Sequence, residues 1–124
     1  MSNMTQKFQA GQIVYLQEGD TRLYAEVIQV VVSRQLCWVR PLFLEGKSGD
    51  EEPQITNLQE AFDLLWSISL FHPALDVEVI SSICQVSQEG SKSEIAASIG
   101  KQKLNEFIHR VWQSQKNTNL SAEK

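Results

Sequence analysis

Cysteine is scarce in this 124-residue chain: Cys37 and Cys84 stand alone, 47 positions apart. A small secreted domain stapled by disulfides needs more than one such pair. Reduced thiols in a cytosolic compartment are therefore the expectation. Long apolar runs are also missing. Nothing approaches the roughly 18 consecutive apolar residues of a membrane span. The opening stretch "MSNMTQKFQAGQIVYL" has one lysine and no apolar run before its first strand, which excludes a secretory signal in it. No Gly-rich loop follows a strand and opens a helix, so there is no phosphate cradle. The two histidines, His72 and His109, and the two cysteines never stand at a ligand spacing such as C-x-x-C or H-x-x-x-H. A metal set assembled in space from His72, Asp76 and Glu78 has no support from spacing. No metal or cofactor is expected.

Positive charge is sparse where negative charge is dense. Residues 45–90 hold one lysine, Lys47, against nine acids, giving −8. Residues 91–124 hold six bases against three acids, giving +3. Residues 11–44 balance, Lys7 adds one, and the chain totals −4. Non-specific nucleic-acid binding rests on basic surface, and an acidic middle repels phosphate backbones. What remains is an ordinary globular composition, 42% apolar and 21% charged. Its length fits one domain.

The apolar pattern is mostly that of strands. Residues 1–10 are polar and expected to fray. "QIVYL" alternates Ile13 and Tyr15 with Val14 and Leu16. "QEGDT" is a turn in which Gly19 can take a positive φ. "RLYAEVIQVVV" is β-branched and long, with Leu23, Ala25 and Val27 on one face and Tyr24, Glu26 and Ile28 on the other. The alternation fails at Val30–Val32, which predicts a bulge or bend. "LCWVRPLFL" returns as a third strand, and Pro41 places it at an edge or ends it. "EGKSGDEEP" reads as a surface loop, the best candidate for disorder. Residues 58–70 are ambiguous: Asn57 with Glu60 fits a capping box, yet "DLLWSISLF" fits a buried strand, and a strand at 64–67 is favoured. "HPAL" reads as a turn and "DVEVISSICQV" as a last strand. From Ser93, a possible N-cap, a helix is predicted, with Leu104, Phe107, Ile108 and Val111 on one apolar face, Trp112 at its edge and Gly100 weakening it.

This order resembles small SH3-like or Tudor-like barrels. They commonly run Gly-x-x-Val, a polar turn, then an aromatic with Ala-x-Val. Here those are Gly11 to Val14, and Tyr24, Ala25 and Val27. The segments "RLYAEVIQVVVSRQLCWVRPL" and "DLLWSISLFHPALDVEVI" are similar to a family of small uncharacterised cyanobacterial proteins. That resemblance implies a cyanobacterial cytoplasm and a place peripheral to the photosynthetic membrane. It implies no catalytic residues. The expected fold class is mainly β with a C-terminal α-helix. In detail, it is a five-stranded SH3-like barrel over residues 11–86, a helix over 91–115 and a disordered tail over 116–124.

Several constellations compete with plain core. Tyr15, Tyr24, Trp38 and Phe43, with Asp20, could line an aromatic cage for a methylated cation. They sit in strands rather than loops, which favours core. Cys37 and Cys84 read as buried and inert, because a catalytic thiol needs exposure and a positive neighbour. Arg40 is an odd step from Cys37 and faces away from it. The expectation is a non-enzyme: a protein–protein interaction module, an adaptor or assembly subunit. Its partner surface would be the barrel rim, Tyr15, Asp20, Arg22, Tyr24, Trp38 and Arg40. The helix residues Phe107 and Trp112 would add a contact for another protein or for self-association. Aromatic and arginine side chains are the types enriched at interface hot spots. The alternative is a nucleic-acid-binding barrel using Arg22, Arg34, Arg40 and the basic C-terminal tail.

Overall fold

The computed structural model describes residues 8–46, 54–58, 61–74 and the helical backbone of 94–122, with side chains of that helix over 98–115. The protein is mainly β: its described residues form a six-stranded antiparallel sheet and a C-terminal helix. The strands are β1 Ile13–Glu18, β2 Thr21–Val31, β3 Leu36–Gly46, β4 Gln54–Asn57, β5 Leu64–Ser67 and β6 His72–Pro73. The helix, α1, spans Glu94–Ala122. The sheet order is β4-β3-β2-β1-β6, and β5 pairs with β3 as well. No helix among the described residues is long and apolar enough to cross a membrane.

Alternation builds the sheet as its residues dictate. Val14 and Leu16 on β1, Leu23, Ala25 and Val27 on β2, and Cys37 and Val39 on β3 all enter one core. Gly19 takes φ +60° in the two-residue turn between Glu18 and Thr21, which holds those residues in register. Two bulges then reset the pattern. Ile28 is the extra residue where Val27 faces Val39 and Gln29 faces Trp38. Leu42 is the extra residue where Tyr24 faces Phe43 and Ala25 faces Pro41. Each bulge moves the following side chains to the opposite face. The break predicted at Val30–Val32 thus falls slightly earlier. After Val31 the chain turns through a 3-10 segment, Val32–Arg34, and Gln35 closes it at φ 58°.

Pro41 does not put β3 at an edge of the sheet. β3 runs on to Gly46 and lies between β2 on one side and β4 and β5 on the other. The proline is tolerated because it falls in a gap: β5 pairs with Leu36–Val39 and β4 with Phe43–Gly46. No ladder partner there asks for the missing N–H.

Among the described residues the expected five-stranded SH3-like barrel is not formed, because the sheet they build is open. β4 and β5 both line the same side of β3 instead of wrapping round toward β1. The helix packs on the inner face of the sheet. Leu104, Phe107 and Val111 are buried in the same core as the strands. Gly100 packs against the β4 end, where a Cβ would lie 2.7 Å from the Asn57 carbonyl oxygen. At the other end, the Ser114 hydroxyl donates to Glu18 Oε1 at 2.9 Å. The helix therefore crosses the sheet from β4 to β1.

Several boundaries differ from expectation. Phe8, predicted in a frayed and disordered N-terminus, is buried in the core. Residues 54–57, just before the ambiguous stretch, form β4, and residues 64–67 form a strand as favoured. A 3-10 turn lies earlier, at Ile68–Leu70, while His72 and Pro73, expected in a turn, pair with β1. The helix continues past residue 115, through seven positions of the predicted disordered tail. The loop after Gly46, the predicted last strand at 76–86 and the Ser93 cap lie outside the described residues.

Candidate interaction face

The face of the sheet turned away from α1 divides into a closed half and an open half. In the closed half, neighbouring strands place His72, Tyr15, Tyr24 and Phe43 in one cross-strand row. Ring centroids are 5.3 Å apart for Tyr15–His72, 5.8 Å for Tyr15–Tyr24 and 4.7 Å for Tyr24–Phe43. Arg22 lies over the Tyr15 ring, its Cζ 4.3 Å from the centroid. Its Nη1 donates to the Tyr24 hydroxyl at 3.3 Å and its Nε to Gln17 Oε1 at 3.3 Å. Ile13, Leu42, Ile55 and Ala74 pack against this row.

Two expectations fail here. The four aromatics do not form a cage: three lie in one cross-strand row, Trp38 is elsewhere, and the cation beside them is the protein's own Arg22. Tyr24 cannot meet a partner either, because it is only 2% exposed. Its phenol is anchored by Arg22 and its ring is stacked on Phe43. Asp20 is exposed at the β1–β2 turn.

The open half is built on β3 and β5. Their register sets Trp38 opposite Leu65. Gln29 of β2 flanks Trp38 on its other side. Trp38 is 39% exposed and Leu65 54%. The indole N–H donates to Asp63 Oδ2 at 3.0 Å. Asp63 Oδ1 lies 3.6 Å from Arg40 Nε. One carboxylate thus holds both the indole and the guanidinium, the first through a neutral donor and the second through charge. Phe62, one residue before Asp63, is 50% exposed. Large apolar side chains left in water beside fixed polar groups are the surface feature that most needs an explanation.

The sequence reading found Trp38 and Arg40 and missed Phe62, Asp63 and Leu65. The signal for Leu65 was present. Once 64–67 is a strand, Leu64 and Trp66 share the inner face and Leu65 must point outward.

The remaining candidates scatter. Phe107 is fully buried in the core, so it is a packing residue and not a partner contact. Trp112 stays 60% exposed on α1. Arg22 begins β2 and Arg34 lies beyond its far end, roughly 30 Å apart at strand rise. With Arg40 held by Asp63, the three arginines do not make one basic track. Cys37 is buried, and that burial pushes its thiol pKa up, the opposite of an activated nucleophile. Among the described residues, no three His, Cys, Asp or Glu side chains gather as a metal site. Cys84, Asp76 and Glu78 lie outside those residues. Comparison with protein-family models, curated proteins and solved structures returned no match.

Proposed function

We propose that this protein is a non-catalytic interaction module, an adaptor or assembly subunit, that engages another protein through the open half of its outer sheet face. The observation that supports this reading is the Trp38–Leu65 pair: two large apolar side chains directly opposite on adjacent strands, exposed, with the Asp63–Arg40 pair at their rim. Tryptophan and arginine are the residues most enriched at interface hot spots. The pair sits on paired strands, so it meets a partner with little ordering cost. The sequence resemblance to small cyanobacterial proteins points to a partner in the cytoplasm, near the photosynthetic membrane.

The test is affinity capture from native lysate with the full chain in three forms: wild type, a Trp38→Ala, Leu65→Ala double variant, and Trp112→Ala. A partner held by wild type should persist with Trp112→Ala and disappear with the double variant. Loss with Trp112→Ala and retention by the double variant would move the contact to the helix and reject this face.

A further inference from the structure

We infer that the open half of the outer face accepts a short extended peptide segment carrying one carboxylate two residues from a large apolar side chain; this rests on the interaction reading above and names its partner's chemistry.

Area argues for a segment over a folded surface. With roughly 200 Å² per side chain, exposures of 39% at Trp38 and 54% at Leu65 leave roughly 200 Å² of apolar surface. A stable interface between folded partners buries about 800 Å² on each side. A second copy of this chain laid on the patch would fall well short, whereas a few residues of extended peptide match it.

Charge argues for a single carboxylate. Arg40 presents its Nε to Asp63, and its side chain is 56% exposed. Among the described residues its Nη nitrogens have no hydrogen-bond partner. Asp63 Oδ2 accepts from the Trp38 indole, and Oδ1 forms an ion pair on the Nε side of Arg40, beyond hydrogen-bond length. A planar guanidinium whose Nη groups lack protein partners suits a carboxylate, which it can grip with two parallel bonds. A run of phosphates fits poorly. Glu26 sits opposite Arg40 in the ladder and Asp63 beside it, so successive anions would meet repulsion.

Spacing follows from the strand itself. Trp38 and Arg40 are alternate residues on β3, roughly 7 Å apart. An extended peptide repeats side chains on one face at that same interval. The segment therefore reads apolar-x-acid along its length.

The probe is a random peptide library displayed on phage and selected on the full-length protein, with binding of selected peptides measured by fluorescence anisotropy. Selected peptides should carry Asp or Glu two positions from Leu, Ile, Phe or Trp. Their affinity should fall about tenfold or more with Arg40→Gln and with Trp38→Ala, and rise several-fold with Glu26→Gln, which removes the competing carboxylate. Circular dichroism checks that each variant is folded; these side chains are exposed or half-buried, so folding should be unchanged. Peptides that need Trp38 and Leu65 but carry no acid, or that ignore Arg40→Gln, overturn this inference and leave the interaction face standing. An empty selection, or peptides indifferent to Trp38→Ala, overturns both. Single-stranded DNA that binds through Arg40 and outcompetes the peptides would replace the peptide with a polyanion.

Discussion

Gly100 sits where α1 comes closest to the sheet. A glycine inside a helix costs about 1 kcal/mol against alanine, so by propensity alone Gly100→Ala should stabilise. Geometry reverses the sign. The new Cβ would fall 2.7 Å from the Asn57 carbonyl oxygen, a backbone atom that cannot swing aside, and 3.5 Å from Leu58 Cδ2. Overpacking of this kind costs about 1–3 kcal/mol, which exceeds the propensity gain. Gly100→Ala is expected to lower stability by about 1 kcal/mol in urea unfolding, and a higher midpoint would show that the helix can lift off β4. Sequence reading saw only half of this. It registered Gly100 as a weakness in the helical run, because propensity is local, while the carbonyl that demands a glycine lies 43 residues away. Tyr24 illustrates the same limit. Its face was assigned correctly by alternation, but its burial depends on Phe43 across the β2–β3 pairing, which no local pattern encodes.

Strands and helix were legible to the extent that their signals were periodic. β1, β2 and the inner face of α1 follow from residues two apart or three and four apart. β3 was found but misplaced, because Pro41 reads as an edge signal and only the split pairing of β4 and β5 reveals the gap that accommodates it. β4 has four residues and a single apolar one, Ile55, too little for any period to show. The helix was cut short because its final turns lack an apolar stripe, although the backbone continues. Where the period was clear, it separates residues of similar type. Phe107 and Trp112 are both large aromatics on α1, yet one is fully buried and the other 60% exposed. Phe107→Ala is expected to cost about 3–5 kcal/mol by opening a cavity between helix and sheet. Trp112→Ala should change stability by less than about 0.5 kcal/mol. Comparable losses in the two, measured by chemical denaturation, would mean that the helix is docked on a different face.

At the scale of the molecule, the open sheet explains why one fold class carries two different surfaces. A closed barrel buries its interior with its own strands. Here the inner face is completed by α1, whose Leu104, Phe107 and Val111 belong to the same apolar cluster as Val14, Leu23, Val27 and Val39. The outer face is then free to divide into an aromatic row buried at Tyr24 and Phe43 and an exposed Trp38–Leu65 patch. Removing the helix opens this larger cluster, and the apolar cluster that the sheet keeps to itself, around Tyr24 and Phe43, is small. Unfolding should therefore be all-or-none. On heating, the helical far-ultraviolet signal and the tryptophan fluorescence are expected to fall along a single coincident transition. Phe107→Ala should move both curves down together by the same interval. Helical signal lost at a lower temperature than the tryptophan transition would show that the sheet stands without α1, and that the helix is a detachable cover and not a structural part of the core.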